Sequence, residues 1–298
     1  RNVRVLSDDE FVDGSLKTII PNLTPLKACE WLKDRMTTHS GAPWFLYSTI
    51  ADNDIRLISI SKILGGVPLN RDTLPYVFSQ GMQQSLDPMD ASYNITGFEI
   101  NRSDNQFRLA EDGLVGSTYN FIDTLRNKVV TQKFTASTPM TQLAAETRRQ
   151  ISASTYDFVS LGSIDDPPME SYDTLEIMQV APTQLYEDNS YNYFQASDIS
   201  GHMLKASSRS LRGFAHKTTI DIQGSGRNFS YTGVNKSIGN LINIYIPASG
   251  NDEGIVGVSD TKKSGQYMIN NVRHIFSGVS HAAVVSCAKF DDPETEFL

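Results

Sequence analysis

Cysteine is scarce: Cys29 and Cys287 are the only two among 298 residues, and they lie far apart in the chain. They offer no disulfide framework. The expectation is two buried free thiols in a protein folded in a reducing compartment. Long apolar runs are missing too. No stretch approaches the ~18 consecutive apolar residues of a membrane span, and no signal-peptide pattern is present, so no membrane insertion is expected. The chain starts with Arg1 and not Met, so residues are expected ahead of it. Basic residues are the minority, 26 Lys and Arg against 34 Asp and Glu, a formal net charge of −8. That balance argues against a protein that coats duplex nucleic acid, which would show a basic face. It is compatible with passing DNA, because an acidic wall keeps a polyanion from sticking.

Reactive motifs are equally thin. The five histidines are His39, His202, His216, His274 and His281, and none stands in HxxxH, HxH or HExxH spacing. No CxxC exists either, so a zinc site has no local support. The glycine-rich stretches "GLVGST" and "QGSGRN" fit neither GxxxxGK[ST] nor GxGxxG, and "GSGRN" reads as a hairpin turn. A nucleophile elbow of the form G-x-S-x-G is absent. The acid pairs Asp8–Asp9, Asp165–Asp166 and Asp291–Asp292 sit in loop-like text, where solvated charge is the default. A Cys–His dyad built from distant positions is open to the sequence, and no spacing favours it. No catalytic residue, cofactor or metal is expected.

What is present is globular text. With 39% apolar and 20% charged residues, the chain suits two domains or one large domain with an insertion. At this length about 75% of the unfolded surface can be buried. "TPLKACEWLKDRMTTHSG" predicts a helix from about residue 25 to 39, with Thr24 as N-cap, Pro25 in the first turn and Gly41 as a stop. Leu26, Cys29, Leu32 and Met36 recur on its apolar face, with Trp31 beside them. Trp44 to Ile50 and Ile55 to Ile60 flank "ADND" and predict a hairpin. "YNITGFEINRS" reads as a strand, residues 116–123 and 128–135 as two more, and residues 139–150 as a helix. "YFQASDISGHMLKASSRSL" suggests another helix, ended or interrupted near Gly201. The last third, "HKTTIDIQ", "NFSYTGV", "NLINIYIP", "GQYMINNVRHIF" and "HAAVVSCAKF", predicts five strands of a small antiparallel barrel or sandwich.

Two regions stand out as surfaces for contact. Residues 152–188 lack periodicity yet carry Tyr156, Phe158, Leu161, Tyr172, Leu175, Ile177, Met178 and Tyr186. Such side chains are enriched at interfaces, and a loop of that length is usually functional or ordered by a partner. In "SGQYMINNVRH", alternation sets His274 on the face of Val272 and Phe276, and Arg273 with Asn271 and Ile275 on the other. His274 therefore reads as a core or interface histidine and not as a general base. The interface candidates are Tyr156, Phe158, Tyr172, Tyr186, Arg273 and His274.

Two segments carry a resemblance. "SGQYMINNVRHIFSG" and "HAAVVSCAKFDD" resemble the closing strands of baseplate central hub proteins of contractile-tailed, T4-like bacteriophages, through Ser264, Gly265, Tyr267, Ile269, His274, Cys287 and Lys289. "IGNLINIYIP" is similar to the strand before them, through Gly239, Ile242, Ile244 and Pro247. "ACEWLKDRMTTHSGAPWFLYSTIADNDIRLISI" is similar to the hub module also seen in type VI secretion spikes, through Leu32, Arg35, Gly41, Phe45, Tyr47 and Leu57. The match is firm at residues 23–66 and 206–292 and weaker between them.

The resemblance implies a virion structural protein without enzymatic activity, mainly β with an α+β insertion. Its core would be a tail-tube-like antiparallel β-barrel, with an inserted lobe carrying short helices. Residues 23–66 and 206–298 would build the barrel, and residues 67–205 the lobe with its long arm. Residues 1–22 are too short for the family's first tube-like barrel, which is expected to be truncated or absent. The implied assembly is a homotrimeric ring. Its partners would be a tail-tube or tube-initiator protein, a central spike, baseplate wedge proteins, and genomic DNA passing without specific binding. It would be assembled in the host cytoplasm, reside in the tail baseplate, and serve DNA ejection. Two other classes remain open from the residues alone: a tail-associated hydrolase (peptidase or glycosidase) and a carbohydrate-binding β-module.

Overall fold

A computed structural model describes residues 3–6, 20–34, 36–49, 54–78, 92–102, 110–123, 127–147, 175–180, 206–213, 218–229, 235–248, 260 and 263–289. The protein is mainly β with short helices, and its largest sheet curls into a half-barrel. In chain order the strands are β1 (Val3–Val5), β2 (Trp44–Ser48), β3 (Ile55–Ser59), β4 (Tyr76–Phe78), β5 (Asn94–Ile95) and β6 (Gly97–Arg102). They continue with β7 (Gly116–Asp123), β8 (Lys128–Thr135), β9 (Leu175–Val180), β10 (Thr218–Ser225), β11 (Leu241–Tyr245), β12 (Gly265–Ser277) and β13 (Ser280–Lys289). Among the described residues the helices of five or more residues are α1 (Pro25–Lys33), α2 (Ile60–Leu64), α3 (Ser137–Thr147) and a stretch at 206–213, here α4.

The seven-stranded sheet has the order β5-β4-β11-β12-β13-β10-β6. Apolar residues run across it in rows set by register. Ile100, Ile220, Cys287 and Ile269 stand opposite one another on four successive strands, and Phe98, Ile222, Val285 and Val272 form the next row. These rows, with Tyr76, Phe229, Ile242, Ile244 and Tyr267, make one core. Side chains one position along point the other way. Leu241, Met268 and Ala288, paired across β11, β12 and β13, join a second core with α2, α3 and Leu211 of α4. The base of β11–β13 is therefore buried on both faces, while most of the strands around it are covered on one.

The expected architecture needs correcting in its pairing. The β2–β3 hairpin forms as the alternation predicts, but it pairs with β1 in a sheet of its own. It meets the C-terminal strands through side chains, as Ile58 and Phe45 pack into the second core. Strands β4, β5 and β6, within the segment expected to be a separate lobe, belong to the C-terminal sheet. The reason lies in the rows: β10 has Ile220 and Ile222 on its inner face, and Ile100 and Phe98 of β6 extend them. Residues 175–180, expected to be part of an arm, form β9 and pair in parallel with β7.

Local differences have local causes. Helix α1 stops at Lys33 and not near residue 39, because the chain turns to form a bridge between Thr37 and Pro43 and Thr38 Oγ1 accepts from the Ala42 N–H at 3.0 Å. Its apolar stripe is only half used: no α1 residue is fully buried, and Cys29 is half-buried where burial was expected. Cys287 is fully buried and free. "GSGRN" is not a hairpin turn. Gly226–Phe229 is a 3-10 turn after β10, which takes Asn228 and Phe229 out of the expected strand "NFSYTGV". Ser230 to Val234 lie outside the described residues.

Candidate functional site

Ser264, Gly265, Tyr267 and Lys289, four of the residues that carry the resemblance, converge at the base of the β12–β13 hairpin, and each has a mechanical task there. Ser264 Oγ donates to the Ile246 carbonyl at 3.0 Å and accepts from the Ile246 N–H at 2.9 Å, so one hydroxyl replaces a ladder pair between the chain after β11 and the start of β12. Gly265 has φ +144, and a Cβ there would lie 2.8 Å from Lys289 Cε. The space a side chain would fill is taken by Lys289, whose ammonium is buried and donates to the Ser264 carbonyl at 2.5 Å. The Tyr267 hydroxyl donates to the Lys263 carbonyl at 2.6 Å, and its ring lies under the Lys289 ammonium, 5.9 Å from the centroid. Ile242, Ile244, Ile269 and Cys287 are core.

The two separately matching segments also touch. Gly239 has φ +82, and a Cβ on it would collide with the Tyr47 hydroxyl oxygen. Tyr47 of β2 thus lies directly over the glycine that precedes β11. Nearby is a cleft of about 320 Å³ lined by Trp44, Phe45, Tyr47, Met268, Ile269 and Arg212, among others. At its rim Asp34 accepts from Arg212 Nη1 at 2.6 Å and sits 2.9 Å from the Lys33 ammonium. Burial alone would raise the Asp34 pKa, but the two cations outweigh it and hold the carboxyl below its usual range.

Beyond the base, β12 outgrows its neighbour. β11 pairs only with residues 265–268, whereas β13 follows β12 as far as Ser277. A bulge at Asn270 keeps Val272, His274 and Phe276 on the face of Ile269. Residues 270–277 therefore have β13 on one side and, among the described strands, none on the other. An edge of this kind is a template for pairing with another chain. Arg273 is exposed on it. The hairpin closes through Gly278 at φ +58 followed by Val279, the pattern of a II′ turn. Its tip is apolar, with Phe276 74% and Val279 108% exposed.

His274 shares its face with Val272 and Phe276, as alternation placed it, and its partner is His281. Nδ1 of His274 lies 3.0 Å from Nε2 of His281, a hydrogen bond between the two rings. Phe276, directly opposite His281, stacks on it at 4.3 Å between centroids and 16° between planes. Beneath lies Gly226, where a Cβ would collide with His281 Cδ2 and Nε2. Partial burial, and then the neighbouring His281, lower the pKa of His274 from its ordinary 6.5. Sequence reasoning missed His281 and Gly226. The signal was the glycine turn, which sets residue 276 opposite 281 and so brings 274 diagonal to it.

Among the described residues, no three or more His, Cys, Asp or Glu side chains gather into a metal set, and no helix is long and apolar enough to cross a membrane. Of the interface candidates, Tyr156, Phe158, Tyr172 and Tyr186 lie outside the described residues. Leu175, Ile177 and Met178 of the same segment are in β9. Ile177 packs on the core of Tyr119, Phe121 and Phe134, and Met178 is 70% exposed.

No protein-family model matches the chain, and no curated protein matches it. Among solved structures it is similar to a tail protein from Neisseria meningitidis, at 11% identity and TM-score 0.45, over 97% of this chain and 61% of that one. It is likewise similar to the 43 kDa tail protein of prophage MuSo2 from Shewanella oneidensis, at 11% identity and TM-score 0.45, over 96% of this chain and 59% of that one. The chain spans about three fifths of the length of these two proteins.

Proposed function

We propose that this protein is a structural component of a bacteriophage tail, and more finely a baseplate-hub subunit that forms a trimeric ring between tail tube and central spike. The two similar solved structures are both tail proteins, the coarse form of the same reading. The observation that carries it is the meeting of the two resembling segments. Ser264, Gly265, Tyr267 and Lys289 tie β11, β12 and β13 together, and Tyr47 sits on Gly239. These residues hold strands in place and do no chemistry, which suits a scaffold. The open edge of residues 270–277 gives a ring neighbour a place to pair. The net charge of −8 suits a channel through which DNA slides without binding. The test is native mass spectrometry of the purified chain, alone and with its spike protein, followed by electron microscopy of the complex. Three copies around an open centre are expected. A monomer under both conditions overturns the hub reading.

A further inference from the structure

We propose that His274 and His281 form a two-histidine binding site for a divalent transition-metal ion of the Zn²⁺ or Cu²⁺ class, held between Nδ1 of His274 and Nε2 of His281, with water in the remaining positions. The proposal stands on the hairpin geometry and is independent of the tail reading.

The separation of the two nitrogens is the first argument. Imidazole nitrogens bind such ions at about 2.0–2.1 Å, and two of them on one ion at bond angles of about 90–110° stand about 2.9–3.4 Å apart. Nδ1 and Nε2 are 3.0 Å apart here. The ion takes the place of the shared proton, which moves to the far nitrogen of the ring that donated it, and the rings turn so that both lone pairs converge. The terminal torsion of a histidine is broad enough to admit such a turn.

The second argument is positioning. The strand register fixes where the two rings start, because Phe276 opposes His281 and His274 opposes Ala283. Gly226 leaves the room in which Nε2 of His281 sits, and Phe276 stacks on the ring from its own strand. Both histidines are half-buried, so water and ions reach them. Imidazole donors select zinc, copper and nickel over magnesium and calcium. With two protein ligands and not four, the bound ion keeps exchangeable water and does not lock the fold.

The experiment uses tag-free protein titrated with CuCl₂ and with ZnCl₂ at pH 7.5, followed by calorimetry and, for copper, by electron paramagnetic resonance. One saturable ion per chain with nitrogen hyperfine coupling is expected. His274→Gln and His281→Gln should each lose it while the near-ultraviolet circular dichroism stays unchanged. A measurement on the wild type keeps the test open should a variant misfold: Zn²⁺ must shift the imidazole resonances of both His274 and His281 in the NMR spectrum. Undiminished binding in either folded variant, imidazole shifts confined to other histidines, or no saturable uptake up to millimolar metal overturns the proposal.

Discussion

The side chain of Asn70 pairs with the backbone of Asn243 in both directions: its amide donates to the Asn243 carbonyl at 2.9 Å and its carbonyl accepts the Asn243 N–H at 2.8 Å. A single side chain thus completes the ladder of β11 beside the short β4. Asn70 is only 3% exposed and Asn243 is half-buried, so the backbone groups it satisfies are partly shielded from water. Asn70→Ala should destabilise the protein by about 2–3 kcal/mol, since buried groups left unpaired cost ~1–3 kcal/mol. Urea unfolding of the variant checks this.

Gly265 is irreplaceable for two reasons that act together. Its φ of +144 strains any side chain, and the space beside it holds Lys289. Gly265→Ala should cost about 2–4 kcal/mol, above the ~1–3 kcal/mol of backbone strain alone. The denaturation midpoint reads it; a loss within the ~1–3 kcal/mol of strain alone would show that Lys289 yields freely, and a smaller one would overturn the strain argument too.

The pKa of His274 is lowered in the folded state, by partial burial first and by His281 second. The unfolded chain then binds the proton more readily than the folded one. Stability from this group is full above the ordinary value of 6.5 and declines as pH falls below it towards the folded pKa. His274→Gln should flatten that slope between about pH 7.5 and 5.5 in parallel urea titrations. An unchanged slope would assign the acid sensitivity to other groups.

Arg273 lies exposed on the part of β12 that has no second neighbour among the described strands, so the folded monomer has little invested in it. Arg273→Glu should change stability by less than about 0.5 kcal/mol. If the edge meets a neighbouring copy, the same change lowers the trimer fraction in native mass spectra. An assembly untouched by the substitution would move the interface elsewhere.

Legibility followed the range of the interactions. Strands β7 and β8 fall at residues 116–123 and 128–135, as their alternation says, and the β2–β3 hairpin and β11–β13 are equally plain. Each is set by neighbours a few residues away. The parallel pairing of β9 with β7 is not legible, because Leu175 meets Ser117 across a long separation that leaves no periodic trace. The same holds for β6 beside β10. Helix α1 was legible in its start, through Thr24 and Pro25, and misread at its end, where the Thr37–Pro43 bridge outweighs helical spacing. At the site, the face of His274 was readable from alternation. Its partner was hidden behind the turn type, which one glycine decides.

The two-faced burial of β11–β13 at their base has a consequence for motion. Amides near Met268 and Ala288 are shielded from both sides and should open only with the whole molecule, whereas those near the Gly278 turn have one strand neighbour among the described strands and an exposed tip. Hydrogen exchange should therefore run from the global unfolding limit to near-free exchange within one pair of strands. On that gradient the hairpin should behave as a stiff root with a supple end, bending onto whatever it meets while its anchor stays fixed.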